Sequence, residues 1–184
     1  MRAAMDGKSL DRYGLTARLL HWALVGLVLG LIAMGWWMMD LGYYDPWYYA
    51  SRQWHEALGI LAWLLGLAFI FNNLMNRPPQ SLTTRPWERV ASWTAHKLLY
   101  LALLALPLAG YLIETADGSG LELFGLVTLH ALVDGGEAVR DAAVAVHTYG
   151  AYGLLGLVGI HTAGALKHHL IDRDRTLMRM LRGR

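Results

Sequence analysis

Eight histidines stand in this chain of 184 residues, and four of them, His21, His55, His147 and His161, fall inside or at the edges of long apolar runs. They are the residues whose type and spacing invite chemistry, because an ionisable group within a bilayer is costly and usually functional. His147 and His161 lie fourteen residues apart on one run. In a helix that is about 21 Å of rise, and fourteen steps of about 100° return both rings to within about 40° of one face. Imidazole suits iron, copper and zinc, and lone imidazoles meeting across a helical bundle fit the two axial positions of a haem iron. The chain has no cysteine. That excludes disulfides, thiolate metal sites, iron–sulfur clusters and covalent c-type haem, so a haem here must be b-type.

The elements that must position these rings are read from charge-free runs. Hydrophobic residues make up 55% of the chain and charged ones 16%, with a mean hydropathy of +0.32. These values lie outside the ordinary soluble range, and the net charge of +2 gives no basic excess for nucleic acid. Leu19 to Met39, Ala57 to Asn76 and Ala142 to Leu166 carry no Asp, Glu, Lys or Arg, and Val90 to Ile113 carries only Lys97, near its start. Each is long enough to cross a membrane as a helix. The expected fold is all-α, an integral membrane four-helix bundle in one domain over 1–184, with spans at about 17–39, 54–74, 90–113 and 142–169. Pro107 lies within the third span and should kink it.

Charge sorting orients the bundle. The N-terminal segment, the loop from Asn76 to Lys97 and the tail from Lys167 hold fourteen Lys and Arg against five acids. The loops Asp40 to Glu56 and Glu114 to Asp141 hold two Arg against nine acids. By the positive-inside rule both termini are cytoplasmic. The first apolar run, of 21 residues ending in Trp36-Trp37-Met38-Met39, is read as a retained helix and not as a cleaved signal. The outer loop contains an apolar stretch, Leu121 to Val133, expected to form an interfacial helix too short to cross.

This topology pairs the histidines by depth. His55 and His147 lie at the outer end, His21 and His161 at the inner end, giving two bis-histidine sites. Gly150, with Gly153, Gly156 and Gly159, is expected to let a flat macrocycle approach the fourth helix, or to serve helix packing. Arg18, Arg52 and Arg140 stand one or two turns from His21, His55 and His147, within reach of a haem propionate or of acids such as Glu56 and Asp141. His96, His168 and His169, with Lys97 and Lys167, cluster at the inner surface. They suit either a quinone headgroup and its protons or a basic fringe at the lipid surface. His130 is expected to be a solvated loop residue.

Four segments, "YGLTARLLHW" from Tyr13, "WHEALG" from Trp54, "AHKLLYLALLALPLAG" from Ala95 and the block from His147 to Leu181, make the chain resemble the bacterial cytochrome b561 family. The resemblance covers nearly the whole chain. It implies a multi-pass protein of the bacterial inner membrane with two b haems on His21, His161, His55 and His147, exchanging electrons with ubiquinone or another quinone. One member of that family is a superoxide oxidase, and His168 matches its quinone-site neighbourhood. The expected partners are lipid, quinone and an outer donor, superoxide first. The alternative is a relay subunit docked to a periplasmic dehydrogenase or hydrogenase through the acidic, aromatic outer face. A haem-free transporter or scaffold remains if the histidines only pack.

Overall fold

The computed structural model describes residues 12–182. Four long helices dominate it: α1 (Leu15–Met39), α2 (Tyr48–Met75), α3 (Pro86–Thr115) and α4 (Gly136–Leu170). All four are long and apolar enough to span a membrane, and the protein is a membrane four-helix bundle. The helices overrun their apolar runs because polar residues beyond the hydrocarbon still satisfy their backbone helically. α3, for instance, starts at Pro86, where a missing N–H costs nothing at the first helical position.

Pro107 sits inside α3, and it deprives the Leu103 carbonyl of its helical donor. That stretch is covered by α2: a Cβ on Gly66 would lie 3.6 Å from Leu103 Cβ and 3.8 Å from its oxygen. A neighbour without a side chain thus shields the defect from lipid.

The helices pack in chain order, α1 on α2, α2 on α3 and α3 on α4. Backbone approach between α4 and the α1–α2 pair is sparse, so the circuit has an open seam. The small core lies at the end where α1 begins, and there Ala17, Leu24 and Phe69 are buried against Tyr13, Leu65, Tyr100 and Leu103.

One expectation is corrected at the opposite end. Leu121 to Val133 is not an interfacial helix but a hairpin of β1 (Leu121–Leu123) and β2 (Val127–Leu129), paired antiparallel. Phe124 and Gly125 both have positive φ, 52° and 69°, and the Leu126 amide donates to the Leu123 carbonyl at 2.9 Å. Those are the features of the tight turns that match strand twist. A short apolar run has no periodicity that separates helix from strand, so the turn decides. The Phe124 ring packs edge-on against Trp54 at 5.0 Å. Tyr111 ties the loop down, its hydroxyl donating to the His130 carbonyl and accepting from the Leu132 amide.

The chain ends in a short helix, α5 (Thr176–Leu181), folded back on α1. Arg18 donates to the carbonyls of Met180 at 3.3 Å and Leu181 at 2.6 Å, and the Trp22 indole also donates to Met180. Arg179 donates to the Gln80 carbonyl at 2.9 Å.

Candidate functional site: two stacked histidine pairs

The seam between α4 and its two distant neighbours is bridged by histidine rings at two levels. His55 of α2 faces His147 of α4 with ring centres 6.1 Å apart. His21 of α1 faces His161 of α4 at 6.3 Å. The two levels are the fourteen residues of α4 apart, about 21 Å along its axis.

These separations can be tested against a metal. Two imidazole nitrogens each about 2.0 Å from one iron place the ring centres about 6.3 Å apart. Both pairs match that distance. Moreover, the Nδ1 atoms of His21 and His55 are buried without a hydrogen-bond partner among the described residues. Buried polar atoms are ordinarily paired, so these sites have unmet bonding capacity. With no cysteine present, a b-type haem fits the donors.

The surroundings of the two pairs differ. His147 Nδ1 donates to the Leu106 carbonyl of α3 at 2.9 Å. A carbonyl can only accept, so the proton lies on Nδ1 and Nε2 is left free for other bonding. Glycines back both outer rings: a Cβ on Gly110 would stand 3.1 Å from His147 Cε1, and one on Gly35 would stand 3.4 Å from His55 Cε1. Sequence reasoning missed both, having looked for glycines on the histidine-bearing helix. Gly150 lies against α3 instead, where a Cβ would come 2.4 Å from Leu106 Cδ2. Its missing side chain serves helix packing.

The inner pair is crowded by rings. Trp22 meets His21 edge-on at 5.0 Å, and Phe69 lies 6.2 Å away. His96 sits 5.1 Å from His161, closer than a shared iron allows, with Nδ1 donating to the Ser92 carbonyl at 2.6 Å.

The residues grouped as a quinone site have separate partners. His168 Nδ1 donates to Asp174 Oδ2 at 2.7 Å and lies 3.2 Å from Asp172. Lys97 stands about 6 Å from the Trp93 and Tyr100 ring centres. Lys167 bridges Asp172 at 2.5 Å and buried Glu88 at 2.6 Å, and Glu88 also accepts from Arg85 and Thr83. Glu88, His168 and Asp172 are spaced like metal ligands, but the Lys167 ammonium already lies between the two carboxylates. Burial opposes ionisation of Asp174, yet hydrogen bonds from Thr176 and His168 prevail and hold its carboxyl below its usual pKa.

The arginines also find protein partners. Arg18, expected beside a haem propionate, holds α5. Arg52 pairs with Glu114 of α3 at 2.7 Å, not with Glu56. Arg140 is exposed in the first turns of α4.

Known proteins resemble the chain throughout its described length. The family model of prokaryotic cytochrome b561 matches residues 12–183. A protein of Escherichia coli strain K12 named cytochrome b561 homolog 2 is 39% identical over 173 residues, 93% of this chain and 92% of that one. A Yersinia pestis protein named probable superoxide oxidase CybB is 30% identical, over 88% of this chain and 91% of its own. An Azospira oryzae protein named putative protein-methionine-sulfoxide reductase subunit YedZ1 is also 30% identical, over 90% and 93%.

Proposed function

The chain belongs to the prokaryotic cytochrome b561 family of membrane electron-transfer proteins, and from that premise we propose that it holds two b haems and passes electrons from an outer donor to a quinone. The observation that carries this reading is the pair of histidine bridges, 6.1 and 6.3 Å between ring centres, across helices whose backbones scarcely approach one another. His55 and His147 would hold the outer haem, His21 and His161 the inner one. A b haem supplies a ferric–ferrous couple that takes or gives one electron at a time.

The protein's own groups set the direction and the protons. The basic end carries the termini, which by the positive-inside rule faces the cytoplasm of a bacterial inner membrane. Quinone reduction to quinol takes two electrons and two protons. His96 and His168 each carry a ring proton hydrogen-bonded to an acceptor, Ser92 or Asp174, and Lys97, next to His96 in sequence, adds positive charge at the same end of α3. These three make the quinone neighbourhood of this proposal. At the other end the hairpin packs through Phe124 on Trp54, the residue before His55.

Superoxide is the proposed donor, supported by the name of the Yersinia relative. Each superoxide gives one electron and leaves as dioxygen, so two reduce one quinone with two cytoplasmic protons. A second reading, a relay subunit fed by a partner protein, draws on the Azospira relative's name. It also draws on the outer rings of Tyr43, Tyr44, Tyr48 and Tyr49, which lie 5.2–5.9 Å apart beside acidic loops.

The test is a reduced-minus-oxidised spectrum of the purified protein with haem counted per chain. Two b haems are expected, reduced by enzymatically generated superoxide and reoxidised by a ubiquinone analogue. A colourless preparation would sink the reading. Haems reduced by dithionite but not by superoxide would favour the partner-fed relay.

A further inference from the structure

The ring of His147 is the only one of the four bridging histidines whose nitrogen is hydrogen-bonded among the described residues. One turn of α3 makes that bond. Its first residue, Leu106, is buried at 8% exposure and offers its carbonyl at 2.9 Å. Its last, Gly110, brings bare backbone against the same ring, leaving 3.1 and 3.2 Å from an ideal Cβ to Cε1 and Nδ1. Contact that tight leaves no slack for a methyl unless the ring moves a few tenths of an ångström. Gly150, opposite, lets Leu106 press against α4 and sets the height of the carbonyl. His161 has no such seat; its close neighbour is the edge of His96.

We infer that the α3 turn from Leu106 to Gly110 is a socket that fixes the tautomer and orientation of His147 and so gives the outer iron a lower potential than it would otherwise have. This rests on the two-haem reading above. Nδ1–H donation to a carbonyl makes the imidazole more basic at Nε2. A more basic axial ligand favours the ferric state, and such second-shell bonds are among the levers that set haem potentials. Gly110 is a positioning residue: it touches the ligand, not the iron.

The test separates the bond from the fold. In His147→Gly, added imidazole can occupy the vacated seat and donate to Leu106, whereas 1-methylimidazole can bind iron but not donate. Imidazole should restore the outer haem at the wild-type potential, and 1-methylimidazole should restore it at a higher one. The expected shift is about tenfold in the sharing of an electron between the two sites, 59 mV for a one-electron couple. Equal potentials with the two ligands would overturn the inference.

If neither ligand enters, Gly110→Ala decides, read by redox titration and by the two low-spin resonance signals. It should raise one potential and alter one signal, while Gly42→Ala in the outer loop, whose new Cβ meets nothing within 4 Å, leaves both unchanged. No shift in Gly110→Ala relative to Gly42→Ala would overturn the socket. Absence of haem from the wild-type protein would instead sink the two-haem reading, so the two failures are distinguishable.

Discussion

The outer and inner histidine pairs have nearly the same ring separation, yet they are built from different materials. Gly35 and Gly110 bring bare backbone against the outer rings, and a main-chain carbonyl fixes one of them. Side-chain rings surround the inner pair: Trp22, Phe69 and the third imidazole, His96. Backbone hardly moves, whereas side chains can rotate. The outer site is therefore seated in a fixed frame, and the inner one is bordered by groups able to adjust, next to the surface where protons are available. That division suits a carrier that receives electrons at one end and couples them to protonation at the other.

Removing one ring from each level breaks the comparison most severely. His147→Ala and His161→Ala should each halve the haem per chain, and the surviving spectra should differ from one another. Loss of both haems from either variant would show that the levels are not independent. Next in size is Trp54→Ala, which removes the ring under Phe124. An aromatic pair is worth about 1 kcal/mol, so amide exchange in 121–129 should rise roughly fivefold without change at the inner level.

A smaller effect is expected at the other end. Arg18→Ala removes two hydrogen bonds to the last turn of α5, and exchange there should quicken about threefold, with the outer site untouched. The smallest is a response to acid. Asp174 has a folded pKa below its unfolded one, so its contribution is present above the ordinary carboxylate pKa of about 3.9. It fades as pH falls through the lower folded value, and α5 should become more open to proteolysis in that window while the hairpin does not. A hairpin that loosened in parallel would indicate global unfolding.

The helices and the pairing of histidines by depth were legible because both depend on one-dimensional quantities, the length of apolar runs and the rise per residue. What escaped depends on side-to-side contact. Gly35 and Gly110 look like any other membrane glycine until α1 and α3 are placed beside the rings of other helices. The hairpin escaped because Phe124 is not a residue expected at positive φ, so only Gly125 announced the turn. Arg18 was read for its nearness to His21, but its partners are the carbonyls of Met180 and Leu181, 162 and 163 residues along the chain. The choice of Glu114 over Glu56 by Arg52 likewise turns on how α2 meets α3.

The open seam beside α4 bears on biogenesis. A newly inserted chain can assemble its first three rods backbone to backbone, whereas the fourth lies close along one flank and meets the first chiefly through side chains, such as Tyr152 against Trp36. Were the proposed haems to fill that seam, pigment supply would act as a checkpoint, and a cell starved of porphyrin would hold a loosely closed bundle that membrane proteases could clear.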